Sequence, residues 1–219
     1  NGGVCKAVVI ETDGLQTVCS DIKPPVITDR KSFLAAVRES GCCGLGGAGF
    51  PTHIKLSFDP EKTPIDTLLV NGAECEPFIT SDTRTMIDRT RDLTEGIALL
   101  EKYLGVKKII IGIENNKPQA IAKMQEIAAA DAAVTVKVLP SIFPQGGEKV
   151  LIYKLTGKVV PEGKLPLDVG CIVLNVTTLA TIAAYVRTGM PLVEKCVTVD
   201  GSAVASPKNV IVPIGTLYK

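Results

Sequence analysis

The sequence predicts an α/β protein, a Rossmann-like parallel sheet flanked by helices, with a small β-rich segment at its end. Three observations predict it. From residue 64 onward short apolar runs alternate with helical patterns. Those runs are short and largely apolar, as in buried strands of a parallel sheet. Four loops rich in glycine or polar residues punctuate the alternation, at the kind of place where open sheets hold ligands.

Residues 4–10 read as a strand entering the turn at Asp13-Gly14, with a short extended segment around Thr17-Val18. Pro24-Pro25 then breaks the chain. Thr28 is the expected N-cap of a first helix, with Asp29 in its first turn and Phe33, Leu34 and Val37 at helical spacing. Strands follow at 66–71 (DTLLVN), 107–113 (KKIIIGI), 134–139 and 171–175, separated by helices at 82–104, 117–130 and 147–157. A last helix covers 177–188, and right-handed crossovers connect the strands. From Glu194 β signals return, with the turn Asp200-Gly201 between 196–199 and 209–212. This module is too short to bury a core and the first residues look like the tail of something earlier, so the sequence reads as part of a longer chain.

Composition excludes several classes. In 219 residues, 24 Lys+Arg face 23 Asp+Glu, a net charge of +1 with the basic residues scattered, which argues against nucleic acid or anionic lipid as a partner. No apolar run approaches the roughly 18 residues of a membrane span, so no direct membrane insertion is expected. The seven cysteines (Cys5, Cys19, Cys42, Cys43, Cys75, Cys171 and Cys196) are odd in number with no C-x-x-C spacing, and His53 is the one histidine. A disulfide framework, a zinc site and an iron–sulfur signature are all unsupported, no metal site is expected, and a reducing cytoplasmic compartment follows.

Chemistry concentrates in the four loops. In Gly44-Leu-Gly-Gly-Ala-Gly-Phe-Pro-Thr52 the glycines let successive N–H groups surround an anion such as phosphate, and Lys55 can add a charge. A helix pattern, not a strand, precedes it, so it is neither a dinucleotide fingerprint nor a Walker loop. A flexible connector is the plain alternative, against which stands the rigid Phe50-Pro51. Asn71-Gly-Ala-Glu-Cys-Glu-Pro77 follows the first core strand and carries two carboxylates, suited to hydroxyl or metal binding or to acid–base work, or else forming a solvated turn. If Glu74 faces a cofactor, Glu76, two residues on in an extended segment, projects to the same side. Pro144-Gln-Gly-Gly-Glu148-Lys149 opens a helix whose N–H groups favour an anion or an electron-rich ring. Asn175-Val-Thr-Thr178 follows the last core strand and can simply cap the next helix.

These four stretches, with Asp82 and Arg84 after the second, resemble the motifs of the C subunit of the Rnf electron-transport complex. They are also similar to the flavoprotein subunit of respiratory complex I, and to the electron-transfer protein of proline reductase that is built like the Rnf C subunit. The resemblance runs in order over roughly residues 40 to 215. It implies an FMN-binding core with NADH as substrate. Carried over by position, Gly44, Gly46, Gly47, Lys55, Asn71, Glu74, Gly147, Glu148, Asn175 and Thr178 fall on FMN-contacting positions. Phe50, Phe58 and Glu76 fall on nicotinamide-nucleotide positions, the two rings as stacking faces for adenine and the carboxylate as a hydroxyl or carboxamide acceptor. Leu45 and Lys149 replace an Arg and a Glu usual in the complex I family, and both replacements resemble the Rnf branch.

The resemblance also divides the chain. It makes residues 1–27 the end of a barrel-sandwich module, 28–192 the FMN/NADH-binding core, and 193–219 the truncated start of a β-grasp (SLBB) module. The 4Fe-4S clusters lie in parts absent from this chain. The expected function is hydride transfer from NADH to FMN, then single electrons to those clusters, with no catalytic side chain. The expected partners are a ferredoxin-like iron–sulfur domain and other subunits of a redox complex, at the cytoplasmic face of a membrane. A flavin-free adaptor with the same fold, and a site for another nucleotide, are the rival readings.

Overall fold

The computed structural model describes Val4 and residues 6–217. Among the described residues no helix or strand precedes Arg30. The strand expected at 4–10 is absent from described residues 6–10, where Val8, Val9 and Ile10 stand exposed. An extended segment needs a neighbour for its backbone groups, and the described residues offer none there. Gly2-Gly3 and Cys5 lie outside the described residues.

Helix α1, Arg30–Glu39, is capped one residue later than expected, by Asp29 and not by Thr28. The reason is Ser32: its N–H donates to Asp29 Oδ1 at 2.7 Å and its hydroxyl accepts from the Asp29 N–H at 3.0 Å, a reciprocal pair that fixes the start. After the glycine loop comes a short helix that the sequence did not announce, α2, Thr52–Leu56. Strand β1, Thr67–Gly72, follows. The single helix expected over 82–104 is two, α3, Ser81–Asp88, and α4, Thr90–Leu104. Arg89 forms the joint, its guanidinium donating to Asp92 at 2.7 Å and to the Ala180 carbonyl at 3.1 Å.

The remaining elements follow the expected spacing: β2, Lys108–Glu114; α5, Pro118–Ala130; β3, Val134–Leu139; α6, Glu148–Thr156; β4, Cys171–Asn175; and α7, Val176–Thr188. An unannounced 3-10 turn, Pro166–Val169, precedes β4. At the end β5, Glu194–Val199, and β6, Lys208–Pro213, pair antiparallel as a separate two-stranded sheet.

The main sheet is parallel throughout, in the order β3-β2-β1-β4. Alternate residues feed two cores, as the period-two geometry of strands requires. Leu68, Val70, Ile109, Ile111 and Ile172 pack with Leu93 and Ile97 of α4, Met124 of α5 and Leu179 of α7. Leu69, Ile110, Cys171 and Val173 pack with Leu151, Ile152 and Leu155 of α6. Close approach of α4 to α7 depends on Gly96, where an added Cβ would lie 2.9 Å from Leu179.

This strand order places one topological switch. The chain steps outward from β1 to β2 and β3, then returns across the sheet to β4 on the other side of β1. At the carboxyl ends of β1 and β4 the connections leave in opposite directions, which opens a crevice. Asn71 and Asn175 are partners in register across that crevice.

Candidate functional site

A cleft of about 640 Å³ occupies the switch point. That lies within the range of small-molecule and cofactor sites. Gly44, Gly46, Ala48 and Phe50 form one wall, Gly146, Gly147 and Glu148 another, Leu165 and Leu167 a third, with Asn71, Val173 and Asn175 at the strand ends.

The glycine loop is not a flexible connector, because it is seated on the start of α7. The Leu45 N–H donates to Thr178 Oγ1 at 2.9 Å, and the same hydroxyl donates to the Cys43 carbonyl at 3.3 Å. Across the loop Gly44 N–H donates to Phe50 O at 2.8 Å and Gly49 N–H to Gly44 O at 3.0 Å. Cys42 is packed beneath it, and burial pushes its thiol up to about 12. Gly46 lies against Asn175, where a Cβ would sit 3.2 Å from Nδ2, and Gly47 holds φ at +114°, which an L side chain resists. The N–H groups of Gly46, Gly47 and Ala48 have no partner among the described residues. They are free to receive an anion.

Asn175 is held in one orientation. Its Oδ1 accepts from the N–H groups of Thr177 and Thr178 at 2.9 and 3.1 Å, capping α7, while Nδ2 donates to Asp82 Oδ2 at 2.6 Å. Thr177 Oγ1 donates to the other Asp82 oxygen at 2.6 Å. Burial raises the Asp82 carboxyl to about 6, against the lowering effect of the Thr177 hydroxyl, and nearby Glu74 pushes it further the same way.

Helix α6 begins on the cleft with no side-chain cap. Lys55 reaches across from α2 to donate to Glu148 Oε1 at 2.7 Å and to the Val173 carbonyl at 3.1 Å. An ammonium has three protons, so one remains for a ligand. Asn71 Nδ2 donates to the Gly146 carbonyl at 2.9 Å, and Asn71 Oδ1 accepts from the Ala73 N–H at 3.1 Å. Free helix-start donors, a lysine and largely apolar walls can hold a planar apolar body that carries an anionic group.

Of the residues singled out from sequence, Gly44, Gly46, Lys55, Asn71, Gly147, Glu148, Asn175, Thr178, Phe50 and Glu76 line this cleft. Gly47 belongs to the loop but not to the lining. Two others are elsewhere and need correction. Glu74 is buried and turned toward the start of α3: it accepts from the N–H groups of Asp82 and Thr83 at 2.7 and 3.2 Å and from Lys117 Nζ at 3.1 Å. It lines a second cleft of about 560 Å³ between the 74–80 segment and the start of α5. Phe58 is 8% exposed and belongs to the core, with the Arg30 guanidinium 4.4 Å from its ring centroid. That cation covers the face that an adenine would need. Phe50, 47% exposed, is the aromatic that reaches the cleft.

Sequence reasoning missed Lys117, which carries no motif, and the wall formed by Leu165 and Leu167. It also missed two buried polar side chains without partners among the described residues, Glu114 at the end of β2 and Gln145 in the loop before α6. Burial raises the Glu114 carboxyl, with Lys117 acting in the opposite direction. None of the described residues groups as a metal-binding cluster, and no described helix is long and apolar enough to cross a membrane.

The fold and this cleft define a parallel α/β protein with a cofactor-sized site at its switch point. Known proteins make that more specific. The Nuo51 FMN-binding domain family matches residues 37–184. The C subunit of the proton-translocating ferredoxin:NAD(+) oxidoreductase complex of Clostridium ljungdahlii is 43% identical over 99% of this chain and 48% of its own length. The C subunit of the Na(+)-translocating ferredoxin:NAD(+) oxidoreductase complex of Acetobacterium woodii is 40% identical over 100% of this chain and 50% of its own. The chain thus spans about half the length of these relatives. Among solved structures, an NAD+-reducing [NiFe]-hydrogenase in the H2-reduced state superposes with a TM-score of 0.71 at 28% identity, over 86% of this chain and 38% of that one. The chain belongs to the Nuo51 FMN-binding domain family, and it is homologous to the C subunits of these oxidoreductase complexes.

Proposed function

We propose that this chain binds FMN in the switch-point cleft and serves as the flavin core of an NADH-linked electron-transfer protein. The observation that carries the reading is the convergence of the Gly46–Ala48 N–H groups and the uncapped start of α6 on one apolar-walled cleft. A phosphate suits the first set of donors and an electron-rich ring suits the second. Gly46, pressed against Asn175, gives the backbone approach that such a cradle needs.

When bound, FMN supplies the chemistry, accepting two electrons as a hydride and giving them back one at a time. The side chains bind and orient. Lys55 offers its remaining proton and its charge, Asn71 holds Gly146 in place, and Asn175 and Thr178 hold the glycine loop. Phe50 and Glu76, at the open side, are suited to the nucleotide half of NADH, by stacking and by accepting from a ribose hydroxyl or carboxamide. No side chain need exchange a proton with substrate.

The wider reading extends this proposal along the resemblance of the sequence motifs to the Rnf C subunit. Electrons leave for 4Fe-4S clusters of a ferredoxin-like domain, within a redox complex at the cytoplasmic face of a membrane. Residues 28–192 act as the core between a barrel-sandwich end (1–27) and a β-grasp start (193–219).

Titration of the protein with FMN and with FAD, followed by flavin fluorescence and visible absorption, tests the assignment. We expect saturable FMN quenching and weaker FAD binding, because the cleft offers one phosphate cradle. Equal or tighter FAD binding overturns the choice of FMN. No binding of either flavin by the folded protein replaces this reading with the adaptor.

A further inference from the structure

We propose that Cys75 is a positioning residue for the flavin-facing start of α6, a role that rests on the FMN reading above. The thiol sulfur accepts the Gly146 N–H at 3.3 Å, while the Asn71 amide donates to the Gly146 carbonyl at 2.9 Å. The stretch from Asn71, at the end of β1, to Cys75 therefore holds a single glycine at both of its polar ends. The grip is close: a Cβ on Gly146 would lie 2.5 Å from the Ala73 carbonyl and 3.5 Å from the Cys75 sulfur, so the two loops interlock with no room between them.

What hangs on that grip is the direction of the next residues. Gly147 is the N-cap of α6, and its N–H turns back to the Pro144 carbonyl at 2.9 Å. Helix α6 has no side-chain cap, so the orientation of its first N–H groups is set by the peptide before it. Gln145, on the other side of Gly146, is buried and makes no side-chain hydrogen bond among the described residues, so it cannot share the task. Cys75 lines the switch-point cleft and also the second cleft beside Glu74.

Three measurements on the intact protein test the proposal. Cys75→Ala removes the acceptor, and FMN affinity should fall about tenfold, which is a change of about 1.4 kcal/mol, with a changed visible circular dichroism of the bound flavin. Cys75→Ser keeps an acceptor at longer reach and should restore most of the affinity and the parent spectrum, which a role in packing alone would not produce. In the parent, iodoacetamide should label Cys75 without flavin, and saturating FMN should slow that labelling, read by peptide mass spectrometry against exposed Cys19 as the internal standard. Parent affinity and parent spectrum in Cys75→Ala overturn the positioning role while leaving the FMN reading intact. If Cys75→Ala fails to fold, a folded Cys75→Val protein, which fills the space without an acceptor, overturns it instead by keeping the parent affinity and parent spectrum. A parent that binds no FMN overturns the flavin reading, and this proposal falls with it.

Discussion

Of the helices that start at the carboxyl end of the sheet, α3 and α7 differ from α6. Helix α3 begins under the carboxylate of Glu74 and α7 begins under the amide of Asn175, so each has its first N–H groups answered by a side chain of the same chain. Helix α6 begins without a cap, on the cleft wall. Unanswered N–H groups at a helix start carry partial positive charge and need a partner. The contrast separates residues that look alike in sequence: Glu74 and Asn175 build the scaffold of the site, while the backbone of α6 and of the glycine loop is left for a ligand.

The sharpest way to break that contrast is at Glu74. Glu74→Ala leaves Lys117, 8% exposed, buried without its carboxylate and strips α3 of its cap. Removing one partner of a buried pair typically costs about 3–5 kcal/mol. We expect a large drop in the urea midpoint with FMN affinity kept in the protein that still folds. Lys117→Met should cost less, since Glu74 keeps its bonds to α3. A loss of FMN affinity in Glu74→Ala larger than its loss of stability would put the carboxylate back in the cofactor site.

Asp82 sharpens the scaffold side. Its carboxyl titrates near 6 in the folded chain against 3.8 when unperturbed. At this group the folded state therefore holds more proton than the unfolded state between about pH 4 and 6, and the stability that Asp82 contributes falls as pH rises through that window. Glu95 contributes in the opposite sense, since against the raising effect of burial Arg91 and Arg187 hold its carboxyl low. A shift of this size corresponds to about 2–3 kcal/mol at full ionisation. Asp82→Asn should flatten much of the slope. The raised carboxyl of Glu114 acts in the same sense and leaves a residual slope. Urea unfolding at half-unit pH steps measures it, and an Asp82→Asn protein with the full parental slope would show that burial does not raise this carboxyl.

Lys55 tests the ligand side. Removing a charged hydrogen bond costs about 1.5–3 kcal/mol, so Lys55→Ala should weaken FMN binding about ten- to a hundredfold with only a small change in the unfolding midpoint. Isothermal titration gives the answer, and an unchanged affinity would mean that Glu148 fully occupies the lysine. The smallest effect separates two rings. Phe50→Leu should raise the NADH concentration that half-saturates flavin bleaching in rapid mixing, whereas Phe58→Leu should leave it in place and lower stability instead. The reverse outcome would mean that Arg30 swings off Phe58 when the nucleotide arrives.

Much of this architecture was legible in the chain. The run KIIIGI declares a strand buried on both faces, and the strand at 134–139 begins and ends where expected. The break at Arg89 was not legible, because no glycine or proline marks it and its cause is a carbonyl on α7, far along the sequence. Glu76 lines both clefts and Glu74 only the second, for a local reason. The alternation that would set Glu74 and Glu76 side by side applies within a strand, and β1 has ended at Gly72. Phe58 was misread for a distant one, since the guanidinium covering it belongs to α1. The glycine loop announced itself by composition, but its seat on Thr178 did not, because a hydroxyl that bonds two backbone groups has the same letter as one that faces solvent.

The strand order also fixes when the cleft can exist during folding. Strands β1, β2 and β3 are joined by successive crossovers and pair as neighbours, whereas β4 pairs with β1 across about a hundred residues of intervening chain. Long closures form late, after the entropy of the loop has been overcome by contacts already made. Both Asn175 and the start of α7, on which the glycine loop rests, arrive only with β4. A nascent chain that has emerged as far as β3 can thus build most of one core and still have no cleft at all. The cleft is complete only once the edge strand β4 is in place.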